Sequence, residues 1–497
     1  MAHDIARPGD PRNVPASRPG PSPTASRLLL FAALAVAAVL RVREALRTPM
    51  WFDEIFTVWI ARLSPRAVLD ALAQDVHPPL HFLMVWAWRA LGGEGELWLK
   101  SLSILIGLAT IAVTFALARD LFGRGAAWIA AALLALHPFH IYFSQEVRNY
   151  VLLHLLIVLS AWTAWRWMES GRRRDGLWYV LSAAAALYTH YLAGVVLAFL
   201  WLWGVFALRA DRRRLLHWIG LHVAVAALFA PQLPILITQL ARDSEHWIRR
   251  STLAQLVGLA RKLSFKAVYM IPPLFVLALL PLLRSRERRG ATMLLAITVP
   301  PVLLTWVLTR YGAHLFIERY MFFTLPAFCA LLAAGCAGIR WGWLRHGATL
   351  AVLLFALRSV VLSPPHAEAA ALGRAATYLA PRIRPGDEVF CADTHSLFFM
   401  RQHLPGLGRQ RLLLVDPNLP YYEGARLVPD SLRVSPAALE SARARHARWW
   451  AVRTRSGGVP STAAAALFDA AAGRPVLDIS MVTVWGGVAD SAAAARH

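Results

Sequence analysis

The chain alternates long apolar runs with short polar connections rich in arginine. A helix needs about 20 mostly apolar residues to cross a bilayer. Runs of about that length lie at 28–46, 97–118, 125–143, 149–168, 177–190, 191–208, 216–238, 265–283, 291–309, 319–339 and 343–362. They predict an all-α polytopic membrane domain over 28–362 with about eleven transmembrane helices. The stretch 177–208 is either one overlong helix or two short ones turning at Tyr188-Thr189-His190-Tyr191. Arginine clusters at both of its ends require an even number of crossings, so two helices are expected. The segment 80–91 is apolar but too short to span, and it predicts a helix along the membrane surface with Trp86 and Trp88 at headgroup depth.

The pattern changes after Pro364-Pro365. Short strand-like runs at 388–392, 411–415, 449–452 and 479–485 are separated by Ala-rich helical stretches at 436–446 and 461–471. This alternation predicts a small C-terminal α/β domain over 363–497, outside the membrane. At the other end, residues 1–27 are rich in Pro, Ser and Arg and bury too little apolar surface to fold, so a disordered cytoplasmic tail is expected. The first apolar run then acts as an uncleaved anchor, because no small-residue cleavage site follows it.

Composition agrees with the pattern. Hydrophobic residues make up 57% of the 497 residues and charged ones 16%, against about 25% charged in a soluble domain. The formal charge of +23 could point to nucleic acid, but the basic residues sit between apolar runs and not on a soluble fold, so a nucleic-acid partner is excluded. Their distribution reports topology, since the cytoplasmic side retains Arg and Lys. Arg119 and Arg124, Arg172 to Arg174, Arg212 to Arg214, the cluster Arg284, Arg286, Arg288 and Arg289, and Arg340 with Arg345 fall on one side together with the N-terminus. That side is the cytoplasm. The loop 47–96, the turn 137–148, the loop 239–264 and everything after 363 are expected on the external face. Loop 239–264 is the exception, carrying Arg242, Arg249, Arg250, Arg261 and Lys262 outside. Its basic residues fit an interfacial helix facing anionic lipid, or a contact with a phosphorylated substrate. Cys329 and Cys336 read as buried thiols and Cys391 stands alone, with no disulfide framework or metal-ligand spacing.

Four external segments carry residues suited to chemistry. Trp51-Phe52-Asp53-Glu54 follows the first membrane helix, and adjacent carboxylates at a membrane boundary must be solvated, paired or functional. In HPFHIYFSQEVRNY (137–150), Ser144 is the expected N-cap of the next helix, with Glu146 in its first turn and Arg148 behind. A helix N-terminus beside an arginine is an anion site; a capped helix with an interfacial Arg would look the same. Phe316-Ile317-Glu318-Arg319-Tyr320 places Arg319 at the entrance of another helix, where Arg319 either snorkels with Glu318 as its partner or serves the site. In His77-Pro78-Pro79 two prolines fix the chain and hold His77 near the apolar boundary. Together these predict one external compartment with a potential base, two Arg, two Tyr and a His.

The WFDE tetrad, DVHPPLHFLMVW, HPFHIYFSQEVRNY, ALYTHY and FIERYMFFTLPAF occur in the order found in bacterial membrane glycosyltransferases of the GT-C superfamily. Residues 28–340 resemble most the group similar to dolichyl-phosphate-mannose protein mannosyltransferases and the lipid A aminoarabinose transferase. The resemblance implies inverting transfer of a sugar from a polyprenyl-phosphate donor to an acceptor hydroxyl of a lipid, protein or polysaccharide. Transfer would occur on the periplasmic face of a bacterial inner membrane, with the C-terminal domain on that side. It makes Asp53 the general base and Glu54 its orienting neighbour. Arg148 and Arg319 would neutralise the lipid phosphate, and His77, Tyr150 and Tyr320 would donate hydrogen bonds. Metal independence is expected; a divalent ion, if used, would lie between Asp53 and Glu146. Two other classes fit the helix count: a transporter or flippase of lipid-linked precursors, whose ionisable residues should lie mid-membrane, and a non-catalytic envelope scaffold.

Overall fold

The computed structural model describes residues 22–241, 248–363, 367–404, 412–415, 428–445, 448–454, 475–479 and 481–487. It opens with α1 (Pro23–Arg47), where Ser22 Oγ accepts from Ala25 N at 3.1 Å. Helix therefore begins within the last residues of the expected tail, because Ser22-Pro23 supplies a cap and a proline at the first helical position; residues 1–21 lie outside the described residues. Three short helices follow, α2 (Phe52–Ile60), α3 (Pro65–Leu72) and α4 (Leu80–Gly92). The bundle continues through α5 (Glu96–Phe122), α6 (Arg124–Leu136), α7 (Pro138–Phe143), α8 (Tyr150–Ser170), α9 (Arg173–Leu187) and α10 (Ala193–Leu208). It closes with α11 (Arg212–Phe229), α12 (Leu233–Leu240), α13 (Leu253–Leu263), α14 (Ile271–Leu279), α15 (Ser285–Ala296), α16 (Val299–Arg310), α17 (Leu325–Ala337) and α18 (Gly342–Val361).

All eleven apolar runs are helical, but fewer of them are long enough to cross a membrane. Six helices among the described residues satisfy length and composition: Glu96–Phe122, Tyr150–Ser170, Arg212–Leu240, Ser285–Arg310, Glu318–Ala337 and Gly342–Val361. A seventh would be the pair Leu253–Leu263 and Val268–Leu283, bent by 79°. The run at 265–283 thus begins on an elbow, where Phe265 and Lys266 adopt positive φ of 55° and 64°. The 177–208 stretch does turn where expected, between α9 and α10, although α10 is a short apolar helix. The run at 125–143 breaks at His137-Pro138 into α6 and α7. Arg41, fully buried in α1, supports this break by donating to the terminal carbonyls of α6, Ala135 O at 3.2 Å and Leu134 O at 3.5 Å.

α5, α6, α8 and α17 form the centre, with α17 buried along nearly its whole length. α11 and α18 lie at the rim and turn Leu216, Val223, Leu228, Leu350 and Leu354 outward. Such a face suits hydrocarbon, since water would make its exposure unfavourable.

Beyond α18 lie α19 (Ala367–Leu379), β1 (Glu388–Cys391), α20 (Thr394–His403), β2 (Leu412–Leu414), α21 (Pro436–Ala444), β3 (Trp449–Thr454), β4 (Leu477–Ile479) and β5 (Val482–Gly487). The sheet order is β2-β1-β3-β5-β4. β2, β1 and β3 are parallel, with Phe390 opposite Ala451, and β5 runs antiparallel to β3 and β4. The small sheet therefore matches the strand-like runs, while the helix expected at 461–471 lies outside the described residues. All three cysteines are free and buried.

Candidate active site

The site is assembled around the first turn of α2. On α5, Lys100 is fully buried and holds the approach to that turn: Nζ pairs with Glu96 Oε1 at 2.8 Å and donates to Thr48 O. Glu96 Oε1 also accepts from Met50 N at 2.7 Å. The chain is thus fixed over residues 48–50, and α2 starts with Asp53 and Glu54 in its first turn, where the helix dipole favours acids.

Glu54 is fully buried and turned away from solvent. It accepts from Trp51 N at 3.2 Å and from Val147 N at 2.9 Å. It straps the start of α2 to the 144–149 turn. Glu146 lies beside it, accepting from Trp51 Nε1 at 3.0 Å while its backbone carbonyl accepts from Ser103 Oγ at 2.5 Å. Burial raises the pKa of both carboxyls, with the charge of Glu54 raising Glu146 further, so they do not both ionise readily at neutral pH. Glu146 is therefore a buried structural partner in this arrangement. Among the described residues, no group of three or more His, Cys, Asp or Glu is placed to hold a metal ion, Asp53 and Glu146 included.

Ser144 is not the N-cap of the following helix. It is the C-cap of α7, its Oγ donating back to His140 O, and α8 starts at Tyr150 after Asn149. The Ser144 hydroxyl is engaged by the carbonyl one turn back in α7, and the chain runs through 145–149 before α8 begins. Glu146 and Arg148 consequently sit on a turn, which lets Arg148 reach across to α2.

Arg148 is almost wholly buried and makes the densest set of contacts in the site. Nη1 donates to Thr57 Oγ1 at 3.1 Å and to Asp53 O at 3.3 Å, while Nη2 lies 3.8 Å from Asp53 Oδ2. Nη2 also meets His77 Nε2 at 3.1 Å. A guanidinium can only donate, so His77 accepts through Nε2 and carries its proton on Nδ1, which lies 3.0 Å from Asp75 Oδ2. Asp75, His77, Arg148 and Asp53 form one chain of polar contacts. Asp75 stood within the DVHPPLHFLMVW motif, but nothing in its spacing singled it out.

Arg319 approaches the same Asp53 oxygen, with Nη1 3.6 Å from Oδ2. Its expected partner Glu318 pairs instead with Lys262 on α13. That leaves the guanidinium near the faces of Trp51 and Tyr320, at 5.9 and 5.8 Å. Tyr150 lies beside Arg148 at 5.8 Å and beside Tyr320 at 6.0 Å between ring centroids. The turn at 188–192 closes this wall, with His190 edge-on to Tyr320 at 4.9 Å and Thr189 O accepting from Asn149 Nδ2 at 3.0 Å. Burial by itself would raise the pKa of Asp53. Arg148 and Arg319 more than offset it, with His395 adding to their effect, and the carboxyl titrates below its ordinary value. Asp53 is thus an ionised acceptor between two cations, and its side chain is 17% exposed.

Every predicted site residue is therefore brought to this one place: Asp53, Arg148, Arg319, His77, Tyr150 and Tyr320 around the open carboxylate, Glu54 and Glu146 beneath it. Sequence reading missed His395, whose ring stacks on Phe52 at 4.2 Å with 3° between the planes. It arrives on α20 from the C-terminal domain, and no local signal could have placed it there.

Comparison with known proteins finds part of the sequence and the whole fold elsewhere. Residues 76–238 match the family model described as dolichyl-phosphate-mannose-protein mannosyltransferase. The structure is similar to ArnT from Cupriavidus metallidurans bound to undecaprenyl phosphate, at 16% identity and a TM-score of 0.62, covering 94% of this chain and 99% of that one. It also resembles the Archaeoglobus fulgidus oligosaccharyltransferase in complex with Zn and sulfate, at 13% identity and a TM-score of 0.50, over 86% of this chain and 68% of that one. No match was found among curated proteins. The chain thus shares its fold with these membrane proteins, and the segment matched by the family model contains His77, Glu146, Arg148 and Tyr150.

Proposed function

We propose that the protein is an inverting glycosyltransferase that moves a sugar from a polyprenyl-phosphate donor to an acceptor hydroxyl on the external face of a bacterial inner membrane. The observation that carries the reading is the Asp53 carboxylate set between Arg148 and Arg319. The relative solved with undecaprenyl phosphate supports the donor class. Asp53 is the general base: ionised, it accepts the proton of the acceptor hydroxyl as the oxygen attacks the anomeric carbon. The bond from that carbon to the lipid phosphate breaks on the opposite side, and the leaving phosphate gains negative charge. Arg319 and Arg148 stabilise that charge, with Tyr150 and Tyr320 beside them. Arg148 is held in advance by Thr57 and His77, so little reorganisation is needed during reaction. A donor whose chain stays in lipid explains why these groups lie at the ends of apolar helices.

The test is deletion of the gene, mass spectrometry of envelope lipids and glycans, and complementation. Wild type should restore the missing sugar, whereas Asp53→Ala and Arg148→Ala should not. Equal restoration by all three would refute the site assignment. Failure of every polyprenyl-phosphate sugar with purified protein would count against the donor class.

A further inference from the structure

The C-terminal domain does more than sit beside the bundle, because α20 packs its side chains directly on α2. Phe398 lies edge-on to Phe52 at 5.4 Å and against Trp59 at 4.4 Å, and the Arg401 guanidinium covers Trp59 at 4.2 Å. Farther out, Arg62 Nη2 donates to Gln402 Oε1 at 3.4 Å. The contact nearest the chemistry is the parallel stack of His395 on Phe52, the residue immediately before Asp53.

His395 is held from both of its own sides. Its Nδ1 is 2.6 Å from Glu368 Oε1 on α19. The turn that carries it is capped by Asp393, which accepts from Ser396 N and from Thr454 N on β3, both at 2.8 Å. A ring pinned to two elements of the domain therefore presses flat on the first residue of α2. The imidazole is also near enough to Asp53 for its charge to help keep that carboxyl ionised.

We propose that His395, supplied by the C-terminal domain and held by Glu368, is a positioning residue for Asp53: by stacking on Phe52 it fixes the first turn of α2 and completes the transfer site. This rests on Asp53 being the base of a sugar transfer. The distance that matters is the approach of the carboxylate to the acceptor hydroxyl, and misplacement by about 1 Å can lower a rate about a hundredfold. The external domain is then a wall of the active site, and turnover requires it to be docked.

The experiment compares wild type, His395→Ala, His395→Phe and Arg401→Ala as purified full-length protein. Arg401→Ala removes a docking contact without touching Phe52. Two readouts are taken: kcat and donor KM for transfer from a polyprenyl-phosphate sugar, and amide hydrogen exchange over residues 52–57. In His395→Ala, kcat should fall about 10- to 100-fold with donor KM within about twofold, and exchange over 52–57 should rise. His395→Phe keeps a flat ring and should recover most of both. Arg401→Ala should lower thermal stability and leave kcat near wild type. Wild-type exchange and kcat in His395→Ala would overturn the proposal. So would an equal loss in Arg401→Ala, which would reduce His395 to a docking contact. If wild type transfers no sugar at all, the functional reading fails, and the exchange arm still decides whether His395 holds α2.

Discussion

Asp53 owes its ionised state to its neighbours. Replacing it with Asn should lower kcat about a thousandfold, the scale of a lost general base, with donor binding by equilibrium titration little changed. Removing a cation acts on the same carboxyl in a different way. Asp53 lies below the ordinary carboxylate range because Arg148 and Arg319 outweigh its burial, so Arg319→Gln should move the acidic limb of the kcat/KM profile to higher pH. A limb at the wild-type position would show that Arg319 does not act on Asp53. The residues legible in the sequence were those that membrane physics makes unusual: acids and arginines at the ends of apolar runs. Asp75 and His395 were not legible, because each acquires meaning only through a partner distant in sequence, Arg148 for one by way of His77 and Phe52 for the other.

At the scale of elements, the apolar runs located the helices well and their ends poorly. Ser144 illustrates the reason: a serine before an acid reads as an N-cap, yet the same hydroxyl can close the preceding helix, and Pro138 decides between the two by starting α7. Run length also did not show where helices break, at His137-Pro138 and at the Phe265-Lys266 elbow. Arg41 is the support for one of these breaks. Arg41→Met should remove a donor from the carbonyls of Ala135 and Leu134, the latter keeping His137 N, and lower the melting temperature of the detergent-solubilised protein, by the equivalent of about 1–3 kcal/mol. A melting temperature within a degree of wild type would show that those carbonyls find other donors. In the C-terminal sheet, Asp387 accepts from Arg384 N at 2.9 Å, Arg448 Nε at 3.0 Å and Trp450 Nε1 at 3.0 Å. Burial would raise its pKa, and these donors depress it below the ordinary value. The folded domain therefore binds this proton more weakly than the unfolded chain. Its stabilisation is complete above the ordinary Asp value and is lost as pH falls through the depressed one. Asp387→Asn should be less stable than wild type near neutrality, and the gap in thermal unfolding should narrow below about pH 4.

For the molecule as a whole, the proposed external-face assignment rests on the distribution of the arginine clusters. In intact cells, a cysteine introduced at Arg173 should resist a membrane-impermeant maleimide, and one at Arg382 should react. The native thiols are all buried and contribute little background. Labelling in the reverse sense would place the site on the cytoplasmic side and remove the external-face assignment. The sequence could separate the bundle from the C-terminal domain because their patterns differ, but not join them, since docking depends on Phe52, Trp59 and Phe398 meeting across more than 300 positions.

The strap made by Glu54 divides the site into a fixed and an adjustable half. Because Glu54 ties the start of α2 to Val147 N, Asp53 and Arg148 ride on one body, and their separation is insensitive to shifts among the other helices. Arg319 enters from a later helix and His395 from another domain. Any substrate that draws Arg319 inward would change the field around the carboxylate without changing its distance from Arg148. On the proposed reading, Asp53 would thus keep its distance from Arg148 while ligands of different size are bound.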